Sequence, residues 1–456
     1  MRGTDSVQRS DYDLIVIGGG PCGCAAAREV AARGFRVLIL EEHSAAGEPL
    51  QCSGLISPRT LRRAGVSAAV VRWQLCGARI HAPGGEVLQI ADSRPHALAV
   101  DRIQFDRELA ELAQTAGAEL WTGCRAQAIQ RLSSGDRLEV RYRRRGSLEQ
   151  QVQCRLLIGA DGPQSLVARW LGAAKPSGWV FVHAAEVELP GRNDQLVDVF
   201  LNQSLAPGWF AWGFPVGPGR GRLGLGCRIM HGSSRTAANP AVMKWLAGEK
   251  RSGSVLHTHL DHLRRQYPQC FSAMHIIQGT SGWIPLAREG KIIGSGAMLV
   301  GDAAGQTKPL SGGGLYLGLE AAGRCAQVAV EALHTGDCSL RRLNAYQQWW
   351  EQRMVEETEY SRECRDLLSN LNDQQLDRLI RIFNRPYWWQ LILKHADFDR
   401  HSLLAKRIPL LSLARTVVAG WIRCSPPARG MSKAEQQLGE GYVSTEFSRS
   451  YSPRLQ

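Results

Sequence analysis

The amino-terminal part of the chain places short apolar runs on either side of a glycine turn and an alanine-rich segment. Residues 13–17 form an apolar run suited to a buried parallel strand, and the glycine turn follows it directly. Residues 24–33 have the composition of a helix that Gly34 ends, and residues 36–40 are a second apolar strand. The pattern predicts a strand, turn, helix and strand at the start of an α/β domain.

The pattern changes several times in the rest of the chain, and each change predicts a further element. Residues 105–116 have apolar positions at helical spacing, whereas residues 179–283 alternate apolar and polar positions as an antiparallel sheet does. The other predicted elements are a three-stranded β-meander over 125–132, 137–145 and 150–158, a buried strand at 298–300, a helix ending at Leu333, a polar helix over 340–371 and a mobile tail over 430–456.

Length and charge set limits on the class of protein. The 456 residues leave room for two or three domains, and 44% hydrophobic residues exclude a largely disordered chain. The net charge of +13 favours an anionic partner, which could be nucleic acid, acidic lipid or an acidic protein. No nucleic-acid module accompanies the charge, so we expect no specific nucleic-acid binding.

Cysteine spacing and hydropathy bear on metal binding and on the compartment. The 12 cysteines include no C-x-x-C pair, so no metal site is predicted. The most apolar carboxy-terminal stretch, 408–422, contains Pro409 and Arg415 and is shorter than the about 20 residues that a membrane span needs. The polar start lacks a secretory signal. We therefore expect a cytoplasmic protein with reduced thiols, able to lie peripherally at a membrane surface.

The first glycine turn has the spacing of a dinucleotide-binding motif. Gly18 permits the tight turn, Gly20 lets the backbone approach a pyrophosphate, and Gly23 lets the helix pack closely on the sheet. Glu41, at the end of the second strand, is placed to accept hydrogen bonds from a ribose diol. A second glycine triplet over 219–224 lacks a following helix and is interpreted as an ordinary turn.

Two later glycine-rich segments indicate which dinucleotide binds. The segments 159–165 (GADGPQS) and 301–305 (GDAAG), with 309–315 (PLSGGGL), resemble those of FAD-dependent oxidoreductases of the aromatic hydroxylase type, and most closely the geranylgeranyl reductase family. That resemblance implies FAD as cofactor. The FAD contacts it implies, beyond the first glycine turn and Glu41, are Cys52, Gly54, Arg102, Ala126, Asp161, Asp302, Gly313, Gly314 and Leu315.

The segments that separate a prenyl reductase from a hydroxylase lie outside the FAD motifs. Residues 47–57 are similar to the family segment that runs beside the flavin and carries Cys52, and residues 210–215 and 223–226 are similar to strands that line an isoprenoid tunnel. The resemblance implies that Phe210, Trp212, Phe214 and Pro215 bind substrate. The chain departs from the family pattern at Cys22, Phe210 and Val216, where Ala or Gly, Tyr and Lys are common.

Each of these assignments has a structural alternative. An aromatic stripe is more often ordinary core than a lipid tunnel, and a lone cysteine is more often a small buried apolar residue than a proton donor. The stretch 373–424, rich in Trp and Arg, either lies on an anionic membrane or forms a helical cover on the FAD domain.

The implied fold class is α/β: a Rossmann-type FAD-binding domain with an inserted β-meander, a second antiparallel-sheet substrate domain and a C-terminal helical region. The predicted boundaries are 11–75, 101–175 and 289–339 for the FAD-binding domain, 76–100 and 176–288 for the prenyl-binding substrate domain, 340–424 for the helical region and 425–456 for the mobile tail.

The resemblance implies a reductase that saturates C=C bonds of a geranylgeranyl chain by hydride transfer from reduced flavin, with Cys52 as catalytic proton donor. The electron donor is NADPH or a reduced ferredoxin, whose acidic surface would suit the +13 charge. The carrier of the prenyl chain stays open among a diphosphate, an ether lipid, a chlorophyll precursor and a quinone. The alternatives are a flavin monooxygenase that acts on an aromatic or quinone ring, and a flavoprotein with a binding or assembly role alone.

Overall fold

The computed structural model describes residues 11–409 and 417, apart from 51, 134, 145, 191, 231–260, 262, 272 and 273. The predicted tail and most of the apolar stretch 408–422 lie outside the described residues.

The strands are β1 Asp11–Ile17, β2 Val37–Leu40, β3 Leu55–Ile56, β4 Val71–Leu75, β5 Gly77–His81, β6 Val87–Ala91, β7 Ala97–Val100, β8 Glu119–Trp121, β9 Cys124–Arg131, β10 Leu138–Arg144, β11 Glu149–Gly159, β12 Pro176–Glu188, β13 Leu196–Phe200, β14 Ala211–Gly217, β15 Arg220–Met230, β16 His275–Arg288, β17 Ile293–Gly294 and β18 Ala297–Leu299. The helices are α1 Pro21–Ala31, α2 Pro58–Ala64, α3 Arg102–Thr115, α4 Leu166–Trp170, α5 Pro268–Phe271, α6 Leu315–Thr335, α7 Leu340–Asn370, α8 Asp373–Phe383, α9 Pro386–His395 and α10 Ser402–Ala405, with short 3-10 turns at Ala68–Val70 and Gly301–Ala304.

The first sheet has eight strands, and its central path runs β17-β18-β11-β1-β2-β8. Strand β1 pairs in parallel with both β2 and β11, and β11 pairs in parallel with β18. Strand β2 and the last four residues of β1 and of β11 are apolar and buried, as expected where helices cover both faces of a parallel sheet. The carboxyl ends of β1, β2, β11 and β18 therefore meet at one edge, where ligands bind in open α/β sheets.

The predicted meander is present, but its third strand also belongs to the central sheet. Strands β9, β10 and β11 pair in antiparallel order, and β11 continues beside β1. Helix α1 begins at Pro21, three residues before the predicted start, because proline's fixed φ suits the first helical position directly after the glycine turn.

The second sheet has seven strands in the order β16-β12-β15-β14-β13-β5-β6. It is antiparallel except for the parallel pair β13 and β5. Strand β7 does not join it. Although the predicted boundaries group 76–100 with the substrate domain, β7 pairs with β3 and β4 in a separate three-stranded sheet.

The second glycine triplet lies in the β14–β15 hairpin. Gly217 and Gly219 have positive φ, and Gly221 is already within β15. A strand rather than a helix follows the turn, so the interpretation of this triplet as an ordinary turn is confirmed.

The carboxy-terminal helices cover both sheets. Helix α7 packs first against the central sheet, where Tyr346 donates a hydrogen bond to Leu299 O, and then reaches the second sheet, where Ser369 Oγ donates to Gly208 O. Helices α8 and α9 cover the β6 edge, and Trp389 donates to Gln89 O at 2.9 Å. Helices α8 and α9 thus cover the second sheet, whereas the residues after α9 reach the FAD domain, where Arg59 pairs with Asp397 and Lys308 donates to Phe398 O at 2.5 Å. None of the helices in the described ranges has the length and apolar composition needed to span a membrane.

Candidate active site at the crevice between the two sheets

The first glycine turn is built around close backbone approaches. Gly18 has φ +104°, and a Cβ atom there would overlap the carbonyl oxygen of Ala160, which follows β11. A Cβ atom on Gly23 would overlap the carbonyl oxygen of Gly18, so Gly23 lets α1 start against the turn. A Cβ atom on Gly20 would meet nothing within 4 Å. The turn therefore leaves open space at Gly20, next to the N-terminus of α1, which has no side-chain cap.

Glu41 holds this turn from the end of β2. It is buried, and its carboxylate accepts hydrogen bonds from Gly19 N at 2.7 Å and His43 N at 2.8 Å. The start of β9 lies beside it, since Cys124 N donates to Glu41 O at 2.8 Å, and Ala126 is two residues farther along β9. Glu41 and Ala126 are therefore on the same side of the glycine turn, as a contact to the adenosine half of FAD requires.

The position of α6 explains how the chain accommodates Cys22 in the glycine turn. Its sulfur lies where a Cβ atom on Gly301 or Gly318 would be, so glycine at those two positions makes room for the larger side chain. Burial raises the pKa of the Cys22 thiol to about 12, which leaves it protonated. The departure from Ala or Gly is thus compensated by packing.

Asp302 lies at the end of β18, facing the N-terminus of α6. Gly314 is the first residue before α6, the helix has no side-chain cap, and a Cβ atom on Gly314 would approach Asp302 Oδ1 to 3.1 Å. Within the described part of the chain no group donates a hydrogen bond to the Asp302 carboxylate. Burial raises its pKa to about 6, opposed by the charge of Arg102. Gly313, Gly314 and Leu315 are therefore grouped with a carboxylate that is available for the hydroxyls of a ligand.

Replacing Asp302 by asparagine should change the stability of the cofactor-free protein in a pH-dependent way. Because the folded-state pKa is raised, the ionised carboxylate destabilises the folded state above about pH 6, and this cost disappears as the pH falls towards the unfolded pKa of about 4. Asp302→Asn should therefore raise the urea midpoint at pH ~7 and leave it unchanged near pH ~4, while lowering FAD retention. A lower midpoint at neutral pH would contradict this.

Asp161 is engaged by its own segment. Its carboxylate accepts hydrogen bonds from Ser165 Oγ at 2.6 Å, Leu166 N at 2.6 Å and Val167 N at 3.2 Å. These bonds fix the turn from β11 into α4. The side chain thus supports the loop beside Gly18, and its role as an FAD contact stays a prediction.

Cys52 and Arg102 are brought together at the crevice. Arg102 is buried and donates to Asp106 at 2.8 to 3.1 Å, and its guanidinium also hydrogen-bonds the Cys52 side chain. Gly54, with φ +72°, turns the chain so that its N–H donates to Cys52 Sγ at 3.5 Å. Cys52 lines a cleft with Leu50, Ser53, Ala184, Ala185, Glu186, Arg222, Gln278, Gly279 and Thr280.

Arg222 is a site residue that the sequence reasoning missed. It lies on β15, is buried, and donates to Ser53 O at 2.8 Å and to Val100 O at 2.7 Å, with Glu186 at 3.4 Å. It thereby ties the second sheet to the segments on which Cys52 and Arg102 lie. An arginine at an inward position of a glycine-rich strand was the available signal.

Replacing Arg222 by methionine should loosen the Cys52 segment. Without the two hydrogen bonds to Ser53 and Val100, we expect faster alkylation of Cys52 by iodoacetamide and a roughly 10-fold to 100-fold loss of kcat, because small misplacements of reacting groups are costly. Arg220→Met is the matched control, since Arg220 is exposed on the same strand and also pairs with Glu186, at 3.5 Å. Equal effects in the two variants would exclude a positioning role for Arg222.

The aromatic residues form a ladder on the crevice-facing side of the second sheet. The rings of Trp209 and Phe210 stack at 5.2 Å, and Phe210 meets Trp212 edge-on at 5.8 Å. A Cβ atom on Gly224 or Gly226 would overlap the indole of Trp212 or Trp209, respectively, so the glycines let the indoles lie close to the sheet. Trp209 was not among the predicted site residues. We call Trp209, Phe210 and Trp212 the aromatic ladder.

Phe214 and Pro215 lie farther along β14 than Trp212. Phe214 is fully buried in an apolar cluster with Leu75, Ala97 and Ala99, at the contact with the three-stranded sheet. Pro215 is also buried in β14, opposite Gly221. Both residues are buried, and Trp212 of the aromatic ladder also packs against the Phe214 cluster, so the structure places Phe214 next to the ladder. The roles of Phe214 and Pro215 in substrate binding stay predictions.

The residues at the crevice fit FAD. Two uncapped helix N-termini, of α1 and α6, favour anionic groups, the open space at Gly20 suits a pyrophosphate, and the Asp302 carboxylate can accept from ribityl hydroxyls. The segment that carries Cys52 and the glycine-rich segment before α6 both face the second sheet: Thr280 Oγ1 donates to Leu50 O, and Gly312 lies against Trp209 and Ile284.

Comparison with known proteins agrees with this fit. Residues 11–356 match the FAD binding domain family. The chain is similar to digeranylgeranylglycerophospholipid reductases, with 29% identity to that of Methanosarcina mazei over 87% of this chain and 92% of the relative, and 30% identity to that of Methanosphaerula palustris over 83% and 91%. Its fold is similar to a geranylgeranyl bacteriochlorophyll reductase-like structure from Thermoplasma acidophilum, with a TM-score of 0.74 and 24% identity over 90% of this chain and 99% of the other. The Rossmann-type fold with its second sheet, the FAD-binding edge and the sequence relatives together place the chain in the geranylgeranyl reductase family of FAD-binding oxidoreductases.

Proposed function

We propose that the protein saturates carbon–carbon double bonds of a geranylgeranyl chain. The observation that carries the proposal is the cleft in which the Cys52 thiol, hydrogen-bonded to Arg102, faces the side of the second sheet that bears the aromatic ladder. A proton donor at one end of an apolar path suits the reduction of an unactivated alkene. The family relatives, named as reductases of geranylgeranyl lipids, support the same substrate class.

When bound in its reduced form, FAD supplies the hydride for one carbon of the double bond. Cys52 donates its thiol proton to the other carbon, so that the alkene gains one hydride and one proton and becomes saturated. The thiolate that remains faces the guanidinium of Arg102, whose charge compensates it, and a solvent proton restores the thiol. The crevice-facing side of the second sheet binds the prenyl chain and excludes water from the reacting carbons.

The proposal extends to the electron donor and to the membrane. The electron donor is NADPH, bound transiently, or an acidic ferredoxin attracted by the net charge of +13. The same charge would hold the protein peripherally at an anionic membrane that contains prenyl lipids. Reduction rates with each donor at low and high salt distinguish the two, because only the protein donor should lose rate steeply with salt.

The direct test is anaerobic. The purified flavoprotein is reduced with dithionite and mixed with geranylgeranyl diphosphate, and the products are analysed by mass spectrometry. We expect a gain of two hydrogen atoms per step as the flavin is reoxidised. A flavin that stays reduced with this substrate and with prenyl lipids and quinones, and is reoxidised only by oxygen, would refute the reductase and favour a monooxygenase.

A further inference from the structure

Beside the aromatic ladder lies a buried arginine that forms no ion pair with any residue that the structure describes. Arg365 of α7 is 2% exposed, and its Nη2 donates to Leu310 O. Its guanidinium carbon lies 4.1 Å from the ring centroid of Trp209 and 5.3 Å from that of Phe210. Within the described ranges no carboxylate is within 4 Å of it, and its Nε has no hydrogen-bond partner. Buried charges are normally paired, so this cation calls for an anion.

Two other buried groups near Arg365 have no hydrogen-bond partner among the described residues. One is the hydroxyl of Ser311, next to Leu310 in the glycine-rich segment, and the other is Nδ1 of His401. Arg228 adds a second positive charge close enough to lower the pKa of Arg365 to about 9, after burial as the main cause. The buried Lys308 lies beside Ser311 and is a third cation. Unsatisfied polar groups and three cations are thus grouped here, and no carboxylate in the described ranges forms an ion pair with Arg365.

The acidic groups nearby are engaged elsewhere. Glu357 accepts hydrogen bonds from His401 N, Ser402 N and Ser361 Oγ. Asp397 and Asp399 form ion pairs with Arg59, that of Asp399 at 3.2 Å, although neither oxygen of Asp399 has a hydrogen bond to a described residue. Asp366 pairs with Arg228 at 2.8 Å. The nearest carboxylates therefore have partners other than Arg365.

Strand β15 relates this cluster to Cys52. Arg222, which holds the Cys52 segment, is near one end of the strand, and Arg228, beside Arg365, is six residues farther along. Six residues of strand span ~20 Å, and the glycines that face the aromatic ladder lie between them. An extended prenyl chain of several isoprene units could lie along this path.

We infer that Arg365, Ser311 and His401 form a subsite for the phosphate oxyanion at the polar end of the substrate. The inference rests on the proposed function and deepens it: the phosphate ester binds at the Arg228 end of β15, and the prenyl chain runs along the aromatic ladder towards Cys52. The planar guanidinium lies over Trp209, and its Nε–H, which has no partner among the described residues, is the donor available to the oxyanion. An uncharged carrier such as a quinone would leave this cation unpaired.

The test uses the FAD-loaded full chain and begins with binding alone. Inorganic diphosphate is titrated calorimetrically into the wild type, Arg365→Gln, Arg365→Lys and Ser311→Ala. We expect roughly 10-fold or greater weakening in Arg365→Gln, a smaller loss in Ser311→Ala, and partial retention in Arg365→Lys. Arg362→Gln is the matched control, because Arg362 lies one turn earlier on α7, is exposed and pairs with Glu289 at 3.4 Å. No binding by the wild type, or equal binding by Arg365→Gln, Ser311→Ala and wild type, would overturn the inference.

Turnover then distinguishes the sources of the phosphate and separates the two proposals. The substrates are geranylgeranyl diphosphate, a digeranylgeranylglyceryl phosphate in micelles and the uncharged alcohol geranylgeraniol. Arg365→Gln should raise KM about 10-fold for whichever phosphorylated substrate the wild type reduces. KM for geranylgeraniol should not change. An equal KM increase for the uncharged alcohol would overturn the subsite. If no variant reduces any alkene but diphosphate binding still depends on Arg365, the proposed function fails and the subsite stands.

Discussion

Replacing Cys52 by alanine should lower kcat for alkene reduction about 100-fold or more. General acid groups typically contribute between ~100-fold and ~10,000-fold to the rate. Cys52 lines the cleft and carries a thiol proton, and the guanidinium of Arg102 beside it compensates the negative charge left when that proton is transferred. The rate of flavin reduction by dithionite should stay as in the wild type, because the thiol proton is transferred to the alkene and not to the flavin. Single-turnover flavin reoxidation by the prenyl substrate, followed by absorbance, gives the measurement.

The control for this variant is Cys76→Ala. Cys76 lies between β4 and β5, near Gln195, and is as partly buried as Cys52 without lining the cleft. The Cys76→Ala substitution should leave kcat unchanged. If Cys52→Ala keeps the wild-type single-turnover rate, the proton comes from water, and Cys52 is a small packing residue beside the flavin.

Replacing Gly18 by alanine should remove most of the bound FAD and destabilise the protein by ~3 kcal/mol or more. The residue has φ +104°, which side chains tolerate poorly, and the new Cβ atom would overlap the Ala160 carbonyl, which belongs to the backbone and cannot rotate away. Relief of the overlap must shift the turn, the N-terminus of α1 or the end of β11, and all three shape the pyrophosphate site. Urea unfolding and the flavin-to-protein absorbance ratio measure the two effects.

Gly34→Ala separates the overlap from backbone strain. Gly34 also has a positive φ, +82°, and lies at the other end of the same helix, but a Cβ atom there meets nothing within 4 Å. Gly34→Ala should lower the free energy of unfolding by only ~1–2 kcal/mol and leave FAD content unchanged. If the two variants behaved alike, the close approach at Gly18 would have no special part in cofactor binding.

The prediction of the FAD half succeeded because its signals are local. The glycine turn, the following helix and the acidic residue at the end of β2 lie within about thirty residues, and their spacing reflects one βαβ unit. The later segments at 159–165 and 301–305 each follow an apolar strand, and the parallel order of β1, β11 and β18 brings them to the same edge. Backbone requirements of this kind appear directly as glycine in the sequence.

The second sheet was harder to interpret. Alternation predicted that it exists, but alternation does not say which face meets the crevice or how deeply each aromatic side chain is buried. Trp209 lies against Gly226 and Gly312 beside the crevice, whereas Phe214, next to Trp212, fills a core cluster. Arg222 was missed because its partners, Ser53 and Val100, are more than a hundred residues away.

By itself, then, the sequence determined the βαβ unit, the dinucleotide motif, the presence of the meander and of a second sheet, and the family, because these depend on local backbone geometry and on periodic burial. Only the tertiary structure decided that the Asp302 carboxylate and the buried Arg365 have no ion pair with a described residue, and that α8 and α9 cover the second sheet. The physical reason is that hydrogen-bond satisfaction, desolvation and charge pairing depend on distances between segments remote along the chain.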